Sequence, residues 1–229
     1  MRARNVSVLY ADPPWNYLSG TKKSGMETPY PTMKTSAICA LKDEIKPCLA
    51  PDCVLLLWAT GATLPDALNV IDAWGFEYVT MAFNWVKSNK KGELIHGLIG
   101  KYTLLQSEIC LLGRRGKYMK PKVWPDQVIV AERRKHSQKP EIVRELIEMM
   151  WPDASRMELF SRSTRKGWTM WGNQIVDNQA VVNTMSQAQR LLISDNVPDT
   201  TAEECNQGLQ PANYESGQDE DDYSETVGS

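Results

Sequence analysis

Apolar and polar positions alternate along this chain in two periods. Residues 6–11 form a short apolar run and read as a buried strand. Residues 53–59, Cys-Val-Leu-Leu-Leu-Trp-Ala, are apolar without a break, as in a strand covered on both faces of a parallel sheet. Further strands are predicted over 76–87, 107–112, 127–131 and 157–160. Helical spacing appears between them. Thr35 or Ser36 is expected to cap a short helix to about Leu41. Pro65 opens a helix through Ala73 that closes near Gly75. Pro140 opens another, with Ile142, Val143, Leu146, Ile147 and Met150 on one face. Strand and helix in alternation predict an α/β fold with a mostly parallel, doubly wound sheet.

Composition narrows the class. The 229 residues are 42% hydrophobic and 24% charged, the balance of a globular domain large enough for a full core. No apolar run is long enough for a membrane span, and the N-terminus has no signal-like apolar region, so a cytoplasmic protein is expected. Five cysteines without C-x-x-C spacing and only two histidines support neither a disulfide framework nor a metal site. From residue 178 onward ten acidic residues face Arg190 alone, a net of −9; with −2 overall, residues 1–177 carry +7. The predicted organisation is a basic body over 1–177 and an acidic, largely disordered tail over 178–229, with a short helix near 185–193.

The chemistry concentrates where the first strand ends, at Asp12-Pro13-Pro14-Trp15. Open α/β sheets bind ligands at this edge. Two prolines make a stiff loop rich in acceptors and poor in donors. The Asp12 carboxylate and the Pro13 carbonyl can accept both N–H bonds of one planar NH2 group, while the Trp15 ring stacks on the base that carries it. Such a grip favours a pyramidal amine with its lone pair directed at an electrophile. An aromatic platform adds roughly 1–3 kcal/mol per stacked base. Alone, the same residues would also suit an ordinary strand-to-loop corner.

Weaker signals surround this one. His136-Ser-Gln-Lys139-Pro140 lies at a helix mouth, where a carboxylate would be favoured. Residues 157–162 end another strand at Arg162, and Trp171-Gly-Asn173-Gln174 offers two amides suited to ribose hydroxyls or an adenine edge. A basic stretch with Arg114, Arg115 and Lys117, and a second at Arg133 and Arg134, fit a nucleic-acid backbone. There is no G-x-G-x-x-G and no P-loop.

Taken in order, these blocks resemble the MT-A70 family of S-adenosylmethionine-dependent adenine N6-methyltransferases. The matching pieces include Ala11-Asp-Pro-Pro-Trp15, Tyr30-Pro-Thr-Met33, Leu56-Leu-Trp-Ala-Thr-Gly61, Trp74-Gly-Phe76, Trp85-Val-Lys87, the stretch 132–140, Glu158-Leu-Phe160 and Trp171-Gly-Asn-Gln174. The resemblance implies a Rossmann-like domain with permuted motif order. It implies Asp12, Pro13, Pro14 and Trp15 as the catalytic segment. Cofactor contacts would fall on Asp12, Lys139, Leu159, Phe160, Arg162, Asn173 and Gln174. Substrate contacts would fall on Tyr30, Trp85, Lys87 and Glu108. The amine would attack the sulfonium methyl directly, without a metal. A His-Asn pair that larger members place after the strand-end arginine is missing; Ser163-Thr-Arg-Lys-Gly167 stands there. The compact outline resembles microbial or phage-type members, many of which act on DNA, so DNA is the expected partner and RNA the alternative. A target adenine in duplex DNA would have to be flipped out. Methylation of another planar amide and a catalytically silent partner subunit are rival readings, with homo- or hetero-oligomer formation left open.

Overall fold

The computed structural model describes residues 5–16, 32–100, 102–134 and 138–172. Tyr30, His136, Asn173, Gln174, the predicted helix at 185–193 and the tail boundary at 177 lie outside the described residues. Among the described residues nine strands and four α-helices follow one another. They are β1 (Val6–Ala11), α1 (Thr35–Ala40), α2 (Lys42–Ile45), β2 (Leu49–Ala59), α3 (Leu64–Ala73), β3 (Glu77–Ser88), β4 (Leu98–Ile99), β5 (Leu104–Leu105), β6 (Ser107–Arg115), β7 (Val128–Glu132), α4 (Ile142–Met150), β8 (Arg156–Leu159) and β9 (Trp168–Trp171). Among the described residues no helix is long and apolar enough to cross a membrane.

Seven strands form one sheet in the order β7-β3-β6-β2-β1-β8-β9. All pairings are parallel except those of β6, which runs antiparallel between β2 and β3. The continuous apolar run therefore sits beside one parallel and one antiparallel neighbour. It is buried on both faces, as expected. Cys53, Leu55, Leu57 and Ala59 point to a core closed by α1 to α3, through Ile38, Leu41, Ile45, Ala67, Val70 and Ile71. Val54, Leu56 and Trp58 point to a second core closed by α4, through Val143, Ile147 and Met150. A sheet with helices on both faces is the doubly wound arrangement.

Several boundaries depart from the expectation for identifiable reasons. Helix α1 begins at Thr35, but its cap residue is Lys34 and makes no side-chain cap; the Thr35 hydroxyl instead binds Asp66 Oδ1 at 2.9 Å. Ile142 lies off the buried face of α4 and is exposed. Strand β6 runs to Arg115, so Arg114 and Arg115 belong to the ladder opposite Val54 and Cys53 and not to the basic loop. The stretch between β3 and β6, for which the sequence predicts no element, contains the β4–β5 hairpin. Residues 168–171, for which the sequence predicts no element, form edge strand β9 beside β8. Gly172 follows because a Cβ there would overlap the backbone of Ser161.

The chain leaves β1 to build one side of the sheet and returns at β8 to build the other. Strand order reverses between β1 and β8. Ligands of open α/β sheets bind outside the carboxyl ends of the strands at such a reversal. Ala11 pairs with Leu159, so the residues that follow each strand, from Asp12 and from Phe160, emerge side by side.

Candidate active site

At this reversal a cleft opens, enclosing about 400 Å³ of space continuous with solvent and lined by Asp12, Pro13, Pro14, Trp15, Trp58, Ala59, Thr60, Glu108, Lys139 and Arg162. The loop after β1 is set by its own backbone. The Trp15 N–H donates to the Pro13 carbonyl at 2.9 Å, and the Pro14 carbonyl accepts from Met33 N–H at 2.8 Å. The Trp15 ring is not freely presented. It is 4% exposed, and its indole N–H donates to the Trp58 carbonyl at 2.9 Å, so it packs as a wall of the cleft.

The polar floor is a shared ion network. Lys139 Nζ lies 2.6 Å from Asp12 Oδ1 and 3.1 Å from Glu108 Oε2, with its side chain 12% exposed. Lys87 Nζ lies 2.6 Å from the other oxygen of Glu108. The Lys139 ammonium also sits 5.5 Å from the Trp58 ring centroid. Trp58 in turn donates its indole N–H to the Tyr10 hydroxyl at 2.7 Å. Trp85 is buried edge-on to Trp58 and donates to the Ala131 carbonyl at 3.0 Å, which places it behind the wall.

Two carboxylates divide this positive charge unequally. Burial pushes both upward. For Glu108, Lys139 and Lys87 outweigh burial and hold the carboxyl below its ordinary range. For Asp12, burial prevails over the pull of Lys139 and the weaker one of Arg162, the Glu108 charge adds to the rise, and its pKa is raised. Burial works against the Lys139 charge, but the two carboxylates more than offset it and its pKa is raised. The network thus keeps a firmly charged lysine beside an aspartate whose charged form is less favoured.

Leu159 itself turns into the core, whereas Phe160 adopts a left-handed backbone (φ 60°) and packs edge-on to Trp171. That turn brings Arg162 to the cleft. In the loop where larger family members would place His-Asn, Arg165 instead binds Glu148 through Nε at 2.6 Å and also binds Glu141. Its role there is to tie the loop to α4.

The structure therefore brings Asp12 to Trp15, Glu108, Lys139 and Arg162 together, with Lys87 joined through Glu108. Arg133 and Arg134 follow β7 at the same edge, where Arg133 N–H donates to the Ser88 carbonyl at 2.9 Å. Arg114, Arg115 and Lys117 do not join them. Arg115 pairs with Cys53, six residues before the pocket end of β2, roughly 20 Å away at 3.3 Å per residue. Trp58, Ala59 and Thr60 also line the cleft, although the sequence reading places them only within a family block and gives them no site role. The signal was available: they end the apolar run adjacent to the Asp-Pro-Pro strand.

A doubly wound sheet with this acidic loop at its reversal, and both charge signs around one cleft, is consistent with a Rossmann-like methyltransferase fold. The sequence profile of the MT-A70 family matches residues 6–174, and the chain belongs to that family. Its relatives include a type II methyltransferase, M.MunI, from Mycoplasma sp, 32% identical over 80% of this chain and 84% of that protein. An Arabidopsis thaliana N(6)-adenosine-methyltransferase MT-A70-like protein is 33% identical over 73% of this chain but only 23% of its own length. The human N(6)-adenosine-methyltransferase catalytic subunit METTL3 is 33% identical over 74% of this chain and 28% of its own length. The chain thus spans most of the first relative and about a quarter of the other two. With the family comes S-adenosylmethionine as methyl donor.

Proposed function

We propose that this chain transfers a methyl group from S-adenosylmethionine to the N6 amino group of adenine in nucleic acid, with DNA as the substrate. One observation carries the reading: the Asp12 carboxylate is held by Lys139 inside a cleft at the sheet's reversal point. The donor set suits the cofactor. Its amino-acid end has a carboxylate for Lys139 and an ammonium for Asp12, and the mixed charge of the cleft tolerates a sulfonium. When bound, the cofactor supplies an electrophilic methyl group. Lys139 has three donors, and Asp12 and Glu108 engage two of them. Leu159 and Phe160 border the cofactor through their backbone, and Arg162 contributes from the cleft rim.

The chain's own residues act chiefly by orientation. With Oδ1 held by Lys139, the Asp12 carboxylate keeps a second oxygen as an acceptor. The Pro13 carbonyl already accepts from Trp15 but has a second lone pair. Together they engage the two N–H bonds of the amine and aim its lone pair, and such positioning is worth several powers of ten in rate. Trp15 and Trp58 wall the cleft and exclude water. Glu108 and Lys87 hold Lys139 in place.

DNA is favoured by the similarity to a type II methyltransferase, which extends over 84% of that protein. The similarity to proteins named N(6)-adenosine-methyltransferases supports RNA as the second reading. Methyl transfer from labelled S-adenosylmethionine to duplex DNA, single-stranded DNA and RNA, with nucleoside analysis, separates the two. N6-methyladenine in DNA is the expected product; its appearance in RNA alone would move the substrate assignment, and no methyladenine in any of them would overturn the reaction.

A further inference from the structure

The cleft edge carries a feature that the chemistry above leaves unused. Between β3 and β6 the chain leaves the sheet, forms the β4–β5 hairpin and returns. Its base is anchored beside the cleft. Ile95 N–H donates to the Lys87 carbonyl at 3.2 Å, Lys87 N–H donates to the Gln106 carbonyl at 2.9 Å, and Gln106 Nε2 donates to the Ile95 carbonyl at 2.8 Å. Two residues past Gln106 stands Glu108, in the cleft lining. The hairpin is narrow by construction. A Cβ on Gly97 would come within 2.6 Å of the Leu105 carbonyl, and one on Gly100 within 2.7 Å of the Thr103 carbonyl.

Two of its described side chains stand bare. Tyr102 is 98% exposed and Ile99 is 91% exposed. Exposed cations flank the same edge, Lys90 and Lys91 in the turn after β3 and Arg134 after β7. An aliphatic and an aromatic side chain held out on a narrow ribbon, with cations beside it, suit a duplex in which phosphates meet the cations and stacked bases meet Ile99 and Tyr102. A base that leaves the stack also leaves a gap, and apolar wedges fill such gaps in distorted DNA.

We infer that the β4–β5 hairpin is a wedge that inserts Ile99 and Tyr102 into the duplex beside the target adenine and holds it open while that adenine occupies the cleft. The inference rests on the reading of DNA as substrate. It makes the hairpin a positioning device, needed for paired substrates and dispensable for unpaired ones.

The test uses the full chain, an Ile99→Ala/Tyr102→Ala double variant and a Tyr102→Trp variant, with duplex and single-stranded oligonucleotides of one sequence. For the double variant, kcat/KM on duplex should fall about tenfold or more, as loss of a wedge predicts, with the single strand changed less than about twofold. A 2-aminopurine placed at the target in duplex should brighten with the wild type and stay quenched with the double variant. Tyr102→Trp should keep both signals. Equal activity of the double variant on duplex would overturn the wedge and leave the proposed reaction intact. Equal losses on both substrates, accompanied by a lower sedimentation mass, would overturn it in favour of a contact between protein chains. A wild type that methylates no DNA removes the substrate reading and the wedge with it.

Discussion

The two ends of the sheet carry the same kinds of ion pair in different surroundings. At the cleft end Lys139, Asp12, Glu108 and Lys87 are mostly shielded from solvent and share partners. At the far end Arg114 and Glu77 pair at 3.0 Å with Glu77 70% exposed, and Lys122 meets Asp153 in the open. Surface pairs lose most of their Coulomb energy to solvent and contribute about 0–1 kcal/mol. Shielded charges interact strongly, and leaving one unpaired is expensive. Burial therefore turns ordinary residue types into a fixed site at one end, while these two pairs at the other end stay solvated.

The largest break in this comparison should come from Asp12→Ala. Methyl transfer is expected to drop by at least about 10³-fold, the scale of losing a preorganised polar contact at a reacting group. Binding of S-adenosylmethionine, followed by calorimetry, should persist through Lys139 and Arg162. Full activity in this variant would remove Asp12 from the mechanism. Next is Lys139→Met, which leaves Asp12 and Glu108 without their shared cation. A loss of about 3–5 kcal/mol at neutral pH is expected from urea unfolding. The deficit should shrink towards pH 4 as the carboxyls take up protons; a constant deficit across pH would mean that packing, not charge, is at fault.

A buried glutamate on the other side of β1 sharpens the contrast. Glu158 lies within 3.2 Å of Arg144, yet burial pushes its pKa up from 4.5 to about 7, with the Asp12 and Glu141 charges adding to the rise against the pull of Arg144. A raised folded pKa means the native state holds the proton more tightly. Its stabilising contribution is complete below about pH 4.5 and is lost as pH rises through about 7, on the order of 3 kcal/mol by linkage. Glu108 has the opposite sign, since its pKa is lowered; its contribution is present at neutral pH and lost on acidification. In Glu158→Gln the decline of stability between pH 4.5 and 7 should flatten, as read from thermal unfolding across that window. An unchanged slope would place the titration elsewhere. The smallest effect belongs to the far end: Arg114→Ala should cost no more than about 1 kcal/mol and leave transfer to a short oligonucleotide unaltered.

Much of the fold was legible because its signals are local. The strand at 6–11, the apolar run at 53–59, the proline-opened helix closed by Gly75 (φ 81°) and the α/β alternation all follow from periodicity and backbone stereochemistry within a few residues. The elements that escaped are those with a weak local pattern. The β4–β5 hairpin pairs only two residues per strand, and β9 exists because residues 168–171 find the free edge of β8. The Trp15 ring illustrates the same limit inside the site. Its position after Asp-Pro-Pro marks it as functional, but only the Trp58 carbonyl, 43 residues away, shows that the ring is pinned into the wall.

By itself, the sequence determined the element types, the stiff acceptor-rich loop at the end of β1 and, through its ordered blocks, the family. Those depend on side-chain period, proline geometry and short-range order, which act along the chain. Tertiary structure alone decided that Lys139 answers Asp12 across 127 positions, that Glu108 arrives on β6, antiparallel to its neighbours in the seven-stranded sheet, to share the same cation, and that Arg114 and Arg115 end at the far edge. Strand pairing and register set those distances, and neither is written in any one segment. Whether a charge becomes part of a site or part of a solvated rim depends on what covers it, and that is decided only when the sheet has closed around it.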